Sequence, residues 1–534
     1  MTAAVEEARR RRLSTMLLFL DFEKAFDSVP ISALIFKLNM YGVSGPFLQI
    51  IHAFLTSRQI TLKVNDFIGP TRRTGLFGLP QGSVLSPLLF IIYVSDLLSH
   101  DSLPSDLSGD IQAFKYADDG TVLVAEKSTT EAYQVMKKVC DYLAVWCSKW
   151  GLLINCNRNK TEVIIIKSKD SANTVIPKLS IGGNTIEYVE KSKVLGVLVD
   201  HQIKFDFQAR AVLSKCWNEW HRLSLGTTRK RGLNNSSLAI IFKTAVLTKL
   251  MYAAPVWLAN NVNVFNNLWA RVLLKVTGSQ VYIPNGIAEV MANIPPLWLT
   301  LELMTVKFCL KALNSDDEMK AVLLQLEEIP SHPFYTHVML TKRFIAWRRE
   351  IGSCRSISFE LTTTDELQYT KMTMALYQGS IWDKQIKDLS MNHLLSKCKV
   401  FSSETDNELV KTCKNIKSPL LSRSDSRENS TDLLDFIHGR SLRFKDFKMT
   451  LKRTDDPTCL DCKMDKDSCE HQLFHCSALN SDARQRLLLL LEENGIDSYR
   501  LSIIFGTQQV RHAFIDQVSH ILRTSCSTDE YQSR

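Results

Sequence analysis

Two neighbouring acids, Asp118 and Asp119, interrupt a stretch that otherwise has the β-branched and aromatic composition of strands. The flanking sequences "FKYA" and "TVLV" predict a β-hairpin with both acids at its tip, and Gly120 favours a tight turn between the strands. Asp is common in turns because its side chain hydrogen-bonds to nearby backbone, so a plain polar loop is one explanation. Two ionised carboxylates side by side also repel each other, and a divalent cation relieves that repulsion. The hairpin alone leaves both explanations open.

A third acid, Asp21, ends the apolar run "MLLFLDF", which predicts a buried strand. Joined to the two acids of the hairpin tip, it would complete a set of oxygen ligands for two Mg²⁺ ions roughly 3.5–4 Å apart. In such a site one ion activates an attacking oxygen and the other stabilises a leaving oxygen. The spacing along the chain does not by itself bring Asp21 to Asp118.

The elements around these acids alternate between strand and helix patterns, which predicts an α+β palm. Helical patterns cover residues 31–57, 87–98 and 130–150, and a longer helical region runs from 207 to 325. The helix at 130–150 carries an apolar stripe formed by Ala132, Val135, Met136, Val139, Leu143 and Trp146. Further hairpins are predicted at "QITLKVN" to "GPTRRTGL", at "IGGNTIEYVE" and at "KVLGVLVD". The segment 422–432, "SRSDSRENSTD", has the composition of an exposed linker.

The bulk composition is that of an ordinary globular protein. Its 534 residues are 45% hydrophobic and 23% charged, which excludes a disordered or fibrous chain and predicts about three to four units. The net charge of +9 suits a polyanionic partner without establishing one. No apolar run reaches the roughly 18 residues of a membrane span, and the N-terminal residues lack a signal-peptide core, so we expect an intracellular protein without a membrane partner.

The cysteine content also favours an intracellular protein. Thirteen cysteines without a secretory signal favour reduced thiols or metal ligands over a disulfide framework. Near the C-terminus the spacing C-x2-C-x8-H-x4-C predicts a closed, structural Zn²⁺ site formed by Cys459, Cys462, His471 and Cys476. Cys469 and His475 are spare ligands, so the third and fourth positions stay open to exchange. A chance grouping of cysteines is the alternative.

Five motifs resemble, in order and spacing, the successive palm motifs of reverse transcriptases. They are "FLDFEKAFDSVP", "GLPQGSVLSPLLFIIYVSDL", "FKYADDGTVLV", "GLLINCNRNKTEVIII" and "KVLGVLVD". More narrowly, they are similar to those of non-LTR (LINE-type) retrotransposons of the Jockey-like insect kind. The likeness covers about residues 10–205, and a looser one continues through "MYAAPVWLAN" and "IPPLWLTLE" to the C-terminal cluster.

The resemblance implies a right-hand polymerase fold of α+β class and a division of the chain. The expected parts are a palm with fingers largely missing (1–205), a helical thumb or connection (206–325), a weakly patterned linker region (326–440) and a C-terminal zinc-knuckle region (441–534). Because fingers should precede the first catalytic strand, we expect an N-terminally truncated copy that polymerises poorly alone.

The resemblance also assigns a reaction. Asp21, Asp118 and Asp119 would bind two Mg²⁺ (or Mn²⁺) ions, with the backbone at Phe22 completing a metal shell. A primer 3′-hydroxyl would attack the α-phosphate of a dNTP and release pyrophosphate. The implied partners are an RNA template, a DNA primer or target, dNTP and other element-encoded proteins, and the implied compartments are cytoplasm and nucleus.

Four further residues take implied roles. Phe26 would exclude a ribose 2′-hydroxyl, although a plain core aromatic is the alternative. Gln81 and Gly82 of "LPQG" would lie over the incoming nucleotide and template base, where glycine permits close backbone approach. Lys160 would protonate the pyrophosphate, although an exposed lysine before a strand is common.

Two other function classes stay open. The chain is alternatively a non-catalytic RNA- or DNA-binding fragment of a decayed or domesticated element, in which the zinc knuckle binds nucleic acid without synthesis. An RNA-templated RNA polymerase is a further alternative, and Phe26 counts against it because ribonucleotide users need a smaller or polar group there.

Overall fold

The computed structural model describes residues 1–99, 109–167, 175–228, 231–279, 285–315 and 335–353, apart from residues 57, 74, 158 and 293, together with short stretches between 456 and 518. The chain divides into two compact units, of which the first comprises Met1–Gln208 and the second starts at Ala209. Among the described helices none has the length and apolarity needed to cross a membrane.

The strands are short outside the central sheet. In chain order they are β1 (Ser14–Leu20), β2 (Gln59–Ile60), β3 (Lys63–Val64), β4 (Phe67–Ile68), β5 (Arg72–Arg73), β6 (Asp110–Tyr116), β7 (Asp119–Glu126), β8 (Glu162–Ile166), β9 (Ser180–Ile181), β10 (Asn184–Thr185), β11 (Glu187–Tyr188), β12 (Lys191–Val194) and β13 (Val197–Asp200).

The helices alternate with these strands in the first unit and dominate the second. They are α1 (Thr2–Arg10), α2 (Ala25–Ser28), α3 (Ile31–Met40), α4 (Gly45–Thr56), α5 (Leu85–Tyr93), α6 (Thr129–Trp150), α7 (Asp206–Leu223), α8 (Asn235–Ile241), α9 (Thr248–Met251), α10 (Ala254–Trp257), α11 (Asn266–Thr277), α12 (Asn285–Ala292), α13 (Leu297–Ser315), α14 (Tyr335–Ser353) and α15 (Asp482–Glu493). A π-helical segment, Phe242–Leu247, joins α8 to α9, and a 3₁₀ turn, Val262–Phe265, precedes α11.

A five-stranded sheet in the order β11-β8-β1-β7-β6 forms the centre of the first unit. β1 pairs antiparallel with β7 on one side and with β8 on the other, and all seven of its residues are buried. β6 pairs antiparallel with β7, and β11 pairs parallel with β8. The apolar run before Asp21 therefore forms the central strand, which confirms the predicted buried strand and the α+β class.

α6 covers one face of this sheet. Its buried stripe comprises Ala132, Met136, Val139, Leu143 and Trp146, while Val135 is half-buried. The helix begins at Ser128, whose side chain accepts a hydrogen bond from the Glu131 N–H, and ends at Gly151 in the left-handed region at φ 69°. A Ser cap and a terminal glycine are the usual boundary signals of a helix, so the sequence pattern and the structure agree.

The other predicted elements of the first unit are present with shifted ends. The segment 31–57 contains α3 and α4, and the helix expected at 87–98 is α5, which ends at Tyr93. The first predicted hairpin forms two small ladders, because β2 pairs with β5 and β3 pairs with β4. β9 pairs with β10 and β12 pairs with β13, as the later hairpin patterns indicate.

A lysine, Lys37, lies inside the core between α3, α5 and α6. It is 2% exposed, and its Nζ donates to Asp96 Oδ1 at 2.5 Å and to the Tyr93 carbonyl at 2.6 Å. The same Nζ lies 3.9 Å from the ring centroid of Trp150 and 4.7 Å from that of Trp146. A buried ammonium needs such partners because transfer out of water disfavours its charge. Burial accordingly lowers the pKa of Lys37 to about 8, although Asp96 raises it.

The described residues of the second unit between 209 and 353 are mainly helical. α8, the π segment and α9 follow one another directly, and α14 packs beside α13. Arg343 of α14 forms an ion pair with Glu302 of α13, and the Thr341 hydroxyl donates to the His337 carbonyl at 2.8 Å. α14 lies within the region 326–440, for which only weak patterning was expected. The structure thus adds a helix over 335–353 that the sequence pattern did not indicate, while the exposed linker predicted at 422–432 lies outside the described residues.

Candidate nucleotidyl-transfer site and zinc cluster

The central sheet brings Asp21 next to the hairpin acids. Leu20, the last residue of β1, pairs with Gly120 of β7, so the antiparallel register carries Asp21 alongside Asp119. β6 and β7 form the predicted hairpin, in which Tyr116 pairs with Asp119. The three predicted carboxylates thus lie at one end of adjacent strands, although Asp21 is far from the other two in sequence.

The hairpin turn differs from the prediction in one respect. Ala117 and Asp118 occupy the two turn positions between Tyr116 and Asp119, and Ala117 itself adopts a φ of +53°. Gly120 is not in the turn but in β7, where a Cβ would lie 3.4 Å from Leu20 Cβ. The expectation that Gly120 makes the turn is therefore wrong. Its missing side chain instead lets β7 pass close to the end of β1.

The backbone of Asp21 is fixed by the segment before β8. The Asp21 N–H donates to Thr161 Oγ1 at 3.3 Å, and the Asn155 N–H donates to the Asp21 carbonyl at 2.8 Å. Neither Asn155 nor Thr161 was singled out from the sequence, although both lie in the quoted motif "GLLINCNRNKTEVIII". Asn155 acts through its backbone N–H and Thr161 through a single hydroxyl, and neither contact leaves a distinctive pattern in the sequence, so this support is visible only in the fold.

Phe22 continues this pairing as an isolated bridge with Ile154. The flanking bonds run from the Asn155 N–H to Asp21 and from the Glu23 N–H to Leu153, the latter at 2.8 Å. In an antiparallel pair bonded in this way, the N–H and C=O of the central residue point away from the partner segment. The Phe22 carbonyl therefore points away from residues 153–155, toward the side on which β7 pairs with β1. The family resemblance implies that it completes a metal shell, which stays a prediction.

The three acids also act on each other electrostatically. Burial, followed by the negative charges of Asp118 and Asp21, raises the pKa of Asp119 above its ordinary value, and Lys160 lowers it. Like charges held close together disfavour ionisation unless a cation compensates them. Hard carboxylate oxygens, with a carbonyl on the same side, are the ligands that Mg²⁺ and Mn²⁺ prefer.

Lys160 supplies one compensating charge. Its Nζ lies 3.5 Å from Asp21 Oδ2, with 49% of the lysine side chain and 30% of the aspartate side chain exposed. The Lys160 N–H donates to the Asn157 carbonyl at 3.1 Å, and Asn159 between them has a φ of +63°. The structure thus places Lys160 at the acid cluster, on a tight turn that leaves its ammonium accessible.

The "LPQG" loop lies against the segment that follows Asp21. Gln81 Nε2 donates to the two carboxylate oxygens of Asp27 at 3.2 and 3.4 Å. Gly82 has a φ of +88°, and a Cβ there would meet no atom within 4 Å. Arg58 contacts the segment just before this loop, since its Nη2 donates to the Gly78 carbonyl at 2.8 Å. Asp27 and Arg58 were given no role from the sequence, and only their contacts reveal one.

Phe26 is half-buried. Its ring stacks on Phe90 with centroids 4.8 Å apart, and the Leu79 N–H donates to its carbonyl at 2.8 Å. The residue therefore joins the start of α2 to α5 and to the "LPQG" loop. This packing fits a core aromatic, and the predicted role of Phe26 in excluding a 2′-hydroxyl stays a prediction.

The C-terminal cluster brings together the four predicted ligands. One ligand atom from each of Cys459, Cys462, His471 and Cys476 lies within 4.8 Å of every other, and three of the four residues are buried. Cys462 Sγ is 3.1 Å from His471 Nε2, and Cys459 Sγ is 3.9 Å from Cys476 Sγ. Of the spare ligands, His475 is exposed and Cys469 lies outside the described residues.

The loop around this cluster suits thiolates. The Met464 N–H points to Cys462 Sγ at 3.5 Å, and the Lys463 N–H donates to the Cys459 carbonyl at 3.0 Å with Lys463 at a φ of +54°. Arg484 of α15 donates to the Cys476 carbonyl. A backbone N–H directed at sulfur stabilises its charged form, and three thiolates with one imidazole match a tetrahedral Zn²⁺ site.

A mainly antiparallel sheet that delivers three carboxylates from its central strand and a neighbouring hairpin tip has the form of a polymerase palm. Comparison with known proteins agrees with this class. Residues 1–199 match the family model described as "Reverse transcriptase (RNA-dependent DNA polymerase)". The domain formed by these residues belongs to the reverse transcriptase family.

The individual relatives that match are proteins of mobile elements. The RNA-directed DNA polymerase from mobile element jockey of Drosophila funebris is 24% identical over 282 residues, which cover 52% of this chain and 30% of the relative. The probable RNA-directed DNA polymerase from transposon BS of Drosophila melanogaster is 24% identical over 269 residues, covering 50% of this chain and 29% of the relative. The domain is thus similar to these mobile-element polymerases, and the matched segment spans less than a third of either relative.

A structural comparison gives only a distant likeness. A solved structure of telomerase from Candida tropicalis, in complex with a fragment of telomeric RNA, aligns with a TM-score of 0.30 at 10% identity, over 78% of this chain and 52% of that one. A score this low supports no conclusion.

Proposed function

We propose that this chain is an RNA-directed DNA polymerase that transfers a nucleotide from a dNTP to a primer 3′-hydroxyl on an RNA template. The observation that carries the proposal is the meeting of Asp21, Asp118 and Asp119 at one end of the sheet. A purely structural turn does not explain why a third acid from the central strand joins two acids that already repel each other.

The residues of the cluster fit divalent cations. Asp21, Asp118 and Asp119, with the Phe22 carbonyl, would hold two Mg²⁺ or Mn²⁺ ions, which supply positive charge to the attacking and leaving oxygens. The chain contributes positioning, because the Asp21 backbone donates to Thr161 Oγ1 and accepts from the Asn155 N–H, which holds Asp21 in place before any ligand arrives.

Other residues of the first unit act on the nucleotide directly. Lys160, whose ammonium lies beside Asp21, donates a proton or positive charge to the departing pyrophosphate. Gly82 gives a base or sugar close access to the loop, and the Asp27 carboxylate holds Gln81 beside it. Phe26 supports the sugar position and excludes a 2′-hydroxyl.

The remaining parts take supporting roles in this proposal. Residues 206–325 form a thumb that grips the template and primer, and residues 441–534 hold a zinc knuckle that binds RNA or target DNA. Cys459, Cys462, His471 and Cys476 would hold one structural Zn²⁺, which closes the loop. Other element-encoded proteins are further partners, and the reaction takes place inside the cell, in cytoplasm and nucleus.

Primer extension on an RNA template with dNTPs and Mg²⁺ tests the polymerase activity. Replacing both acids, Asp118→Ala with Asp119→Ala, should abolish extension, whereas Asp66→Asn, at an exposed acid of the β3–β4 turn, should leave it unchanged. Extension that survives in the double variant contradicts the site assignment.

The same assay separates the second candidate function. If the unaltered chain gives no extension but binds RNA in a salt-sensitive and zinc-dependent manner, it is a binding protein of retrotransposon origin. The cysteine and histidine cluster is the observation that favours this alternative.

A further inference from the structure

A groove in the second unit combines aromatic and cationic side chains. It lies between α7 and α11 and has a volume of about 370 Å³, within the range of roughly 300–1,000 Å³ typical of small-ligand sites. Trp217 and His221 line it from α7, and Arg271 and Lys275 line it from α11. Each pair is spaced by four residues, so its members lie on one helix face and form one wall of the groove.

The floor of the groove is rigid. Trp220 is buried and lies edge-on to Phe242 of the π segment, with ring centroids 5.7 Å apart. Phe242 in turn packs on Trp269 at 5.4 Å. This stack joins α7 to α11 through the π segment. Trp217, by contrast, is half-buried and presents part of its indole to the groove.

The charge of the groove is positive. Arg271 is exposed, and among the described residues it has no acidic group within ion-pair distance. The nearby acid of α7, Glu219, is neutralised by Arg222 at 2.9 Å and by Lys249 at 3.2 Å. The chain leaves the rim of the groove at Ser224 and continues into the cation-rich sequence "TTRKRG".

We propose that this groove binds an unpaired base of single-stranded nucleic acid, stacked on Trp217, with the flanking phosphates held by Arg271 and Lys275. An indole face and fixed cations at the two sides of one cavity are the features by which proteins bind single strands without reading their sequence. An acidic peptide would use the cations alone and leave the indole without a function. A duplex keeps its bases stacked and offers none to the groove.

The groove lies within residues 206–325, the segment proposed above as the thumb, but binding in it does not depend on the catalytic acids. It requires neither Asp118 nor a divalent cation, and it lies entirely within the second unit. A double variant with Asp118→Ala and Asp119→Ala should therefore bind a single strand through the groove as the unaltered chain does. Loss of polymerase activity and loss of groove binding can be observed independently.

The test measures binding of a fluorescent single-stranded oligouridylate by the full chain in EDTA-free buffer without magnesium. Trp217→Ala should weaken binding about tenfold, and Trp217→Phe should retain most of it because a phenyl ring still stacks. Arg271→Gln should lower the slope of log K against log salt by about one, since one phosphate contact is lost. The matched controls are Trp298→Ala, at an exposed tryptophan of α13, and Arg210→Gln, at an exposed arginine of α7.

Cross-linking provides a second readout that does not depend on affinity. A 4-thiouridine oligonucleotide should cross-link to peptides of α7 and α11. In Trp217→Phe, which should keep the fold, the cross-link should no longer map to the same residue. The proposal is overturned if Trp217→Ala and Arg271→Gln bind as the controls do and cross-links map elsewhere. It is also overturned if polyglutamate of equal length displaces the oligonucleotide with equal affinity, because the groove would then select an acidic protein partner.

Discussion

Asp119 shows the physical tension of the acid cluster most directly. Its pKa is raised by burial and by the neighbouring carboxylates, so at neutral pH the ionised cluster opposes folding until a cation compensates it. Asp119→Asn removes one of the repelling charges. We expect this variant to melt about 1–3 °C higher than the unaltered chain in EDTA, a shift that corresponds to a fraction of 1 kcal/mol for an exposed group.

Added Mg²⁺ should reverse that order. The unaltered chain gains stability because it binds the cation in its folded state, whereas Asp119→Asn gains little. Thermal melts with and without Mg²⁺ measure this difference. At a Mg²⁺ concentration tenfold above the dissociation constant, the unaltered chain should gain about 1.4 kcal/mol in the free energy of unfolding. The charge-matched Asp66→Asn should respond as the unaltered chain does; an equal response of Asp119→Asn would show that the cation binds elsewhere.

A comparison of Gly82 with Gly42 separates the effect of backbone strain on stability from an effect on nucleotide binding. Their φ values are +88° and +86°, and neither would bring a Cβ within 4 Å of another atom. Replacing either by alanine costs about 1 kcal/mol of backbone strain. Only Gly82 lies in the "LPQG" loop, so Gly82→Ala should also raise the KM for dNTP several-fold, while Gly42→Ala should not. Steady-state primer extension and thermal melts of both variants distinguish these effects, and equal kinetics would remove Gly82 from the nucleotide site.

At the scale of elements, the contact between α11 and α12 depends on one buried acid. Glu289 is 6% exposed, and Trp269 Nε1 donates to its carboxylate at 2.7 Å. Burial raises the pKa of Glu289 from 4.5 to about 7, and the Trp269 bond lowers it only in part. The folded chain therefore binds a proton more tightly than the unfolded chain does, so this group reduces stability as pH rises from about 4.5 to 7.

Glu289→Gln keeps an oxygen acceptor for Trp269 and removes the charge. Relative to the unaltered chain, we expect the variant to gain on the order of 2 kcal/mol in the free energy of unfolding between pH 5 and pH 8. Denaturant melts at both pH values measure this difference. Glu187→Gln, at an exposed glutamate of β11, should show no comparable gain; a pH-independent difference for Glu289→Gln would show that the carboxylate is already ionised at pH 5.

Elements with strong periodicity could be predicted from the sequence, and contacts between distant elements could not. An unbroken apolar run predicts β1 and an apolar stripe of 3.6-residue period predicts α6, and both elements are present as expected. The turn at Ala117 and the helix α14 were missed, because a non-glycine residue in the left-handed region and a helix with mixed polarity have no local signature. Which acids, amides and hydroxyls surround Asp21 depends on strand register, which a single sequence leaves open.

The candidate site divides in the same way. Asp21, Asp118 and Asp119 were found because carboxylates in apolar strands are conspicuous, and Lys160 because it lies in a motif of the family resemblance. Asn155, Thr161 and Asp27 are polar residues in loops, where such residues are ordinary. Their value as supports arises only from hydrogen bonds that the fold creates.

At the scale of the whole molecule, the C-terminal cluster should make stability depend on metal. We expect one Zn²⁺ per chain in the purified protein, and Cys459→Ser or Cys476→Ser should lose it because three ligands close a tetrahedral site poorly. Metal content by mass spectrometry measures this. Cys469→Ser is the informative comparison, since it should keep its zinc. Loss of zinc from this variant would show that Cys469 replaces one of the four proposed ligands.

Chelation should have a regional effect. Removal of Zn²⁺ should expose the residues around 459–478 to limited proteolysis, while the first unit keeps its own core and remains resistant. Uniform digestion of the chain after chelation would show that the metal stabilises far more than its own loop.

The enclosure of Lys37 has a practical consequence for anyone who handles this protein. An amine-reactive reagent, or an acetyltransferase, reaches lysines through solvent, and this one is shielded by indole and phenol rings on α5 and α6. Its covalent labelling requires that α3 separate from those helices. The rate at which Lys37 is labelled would thus report how often the interior of the domain opens, and this measurement requires no engineered probe.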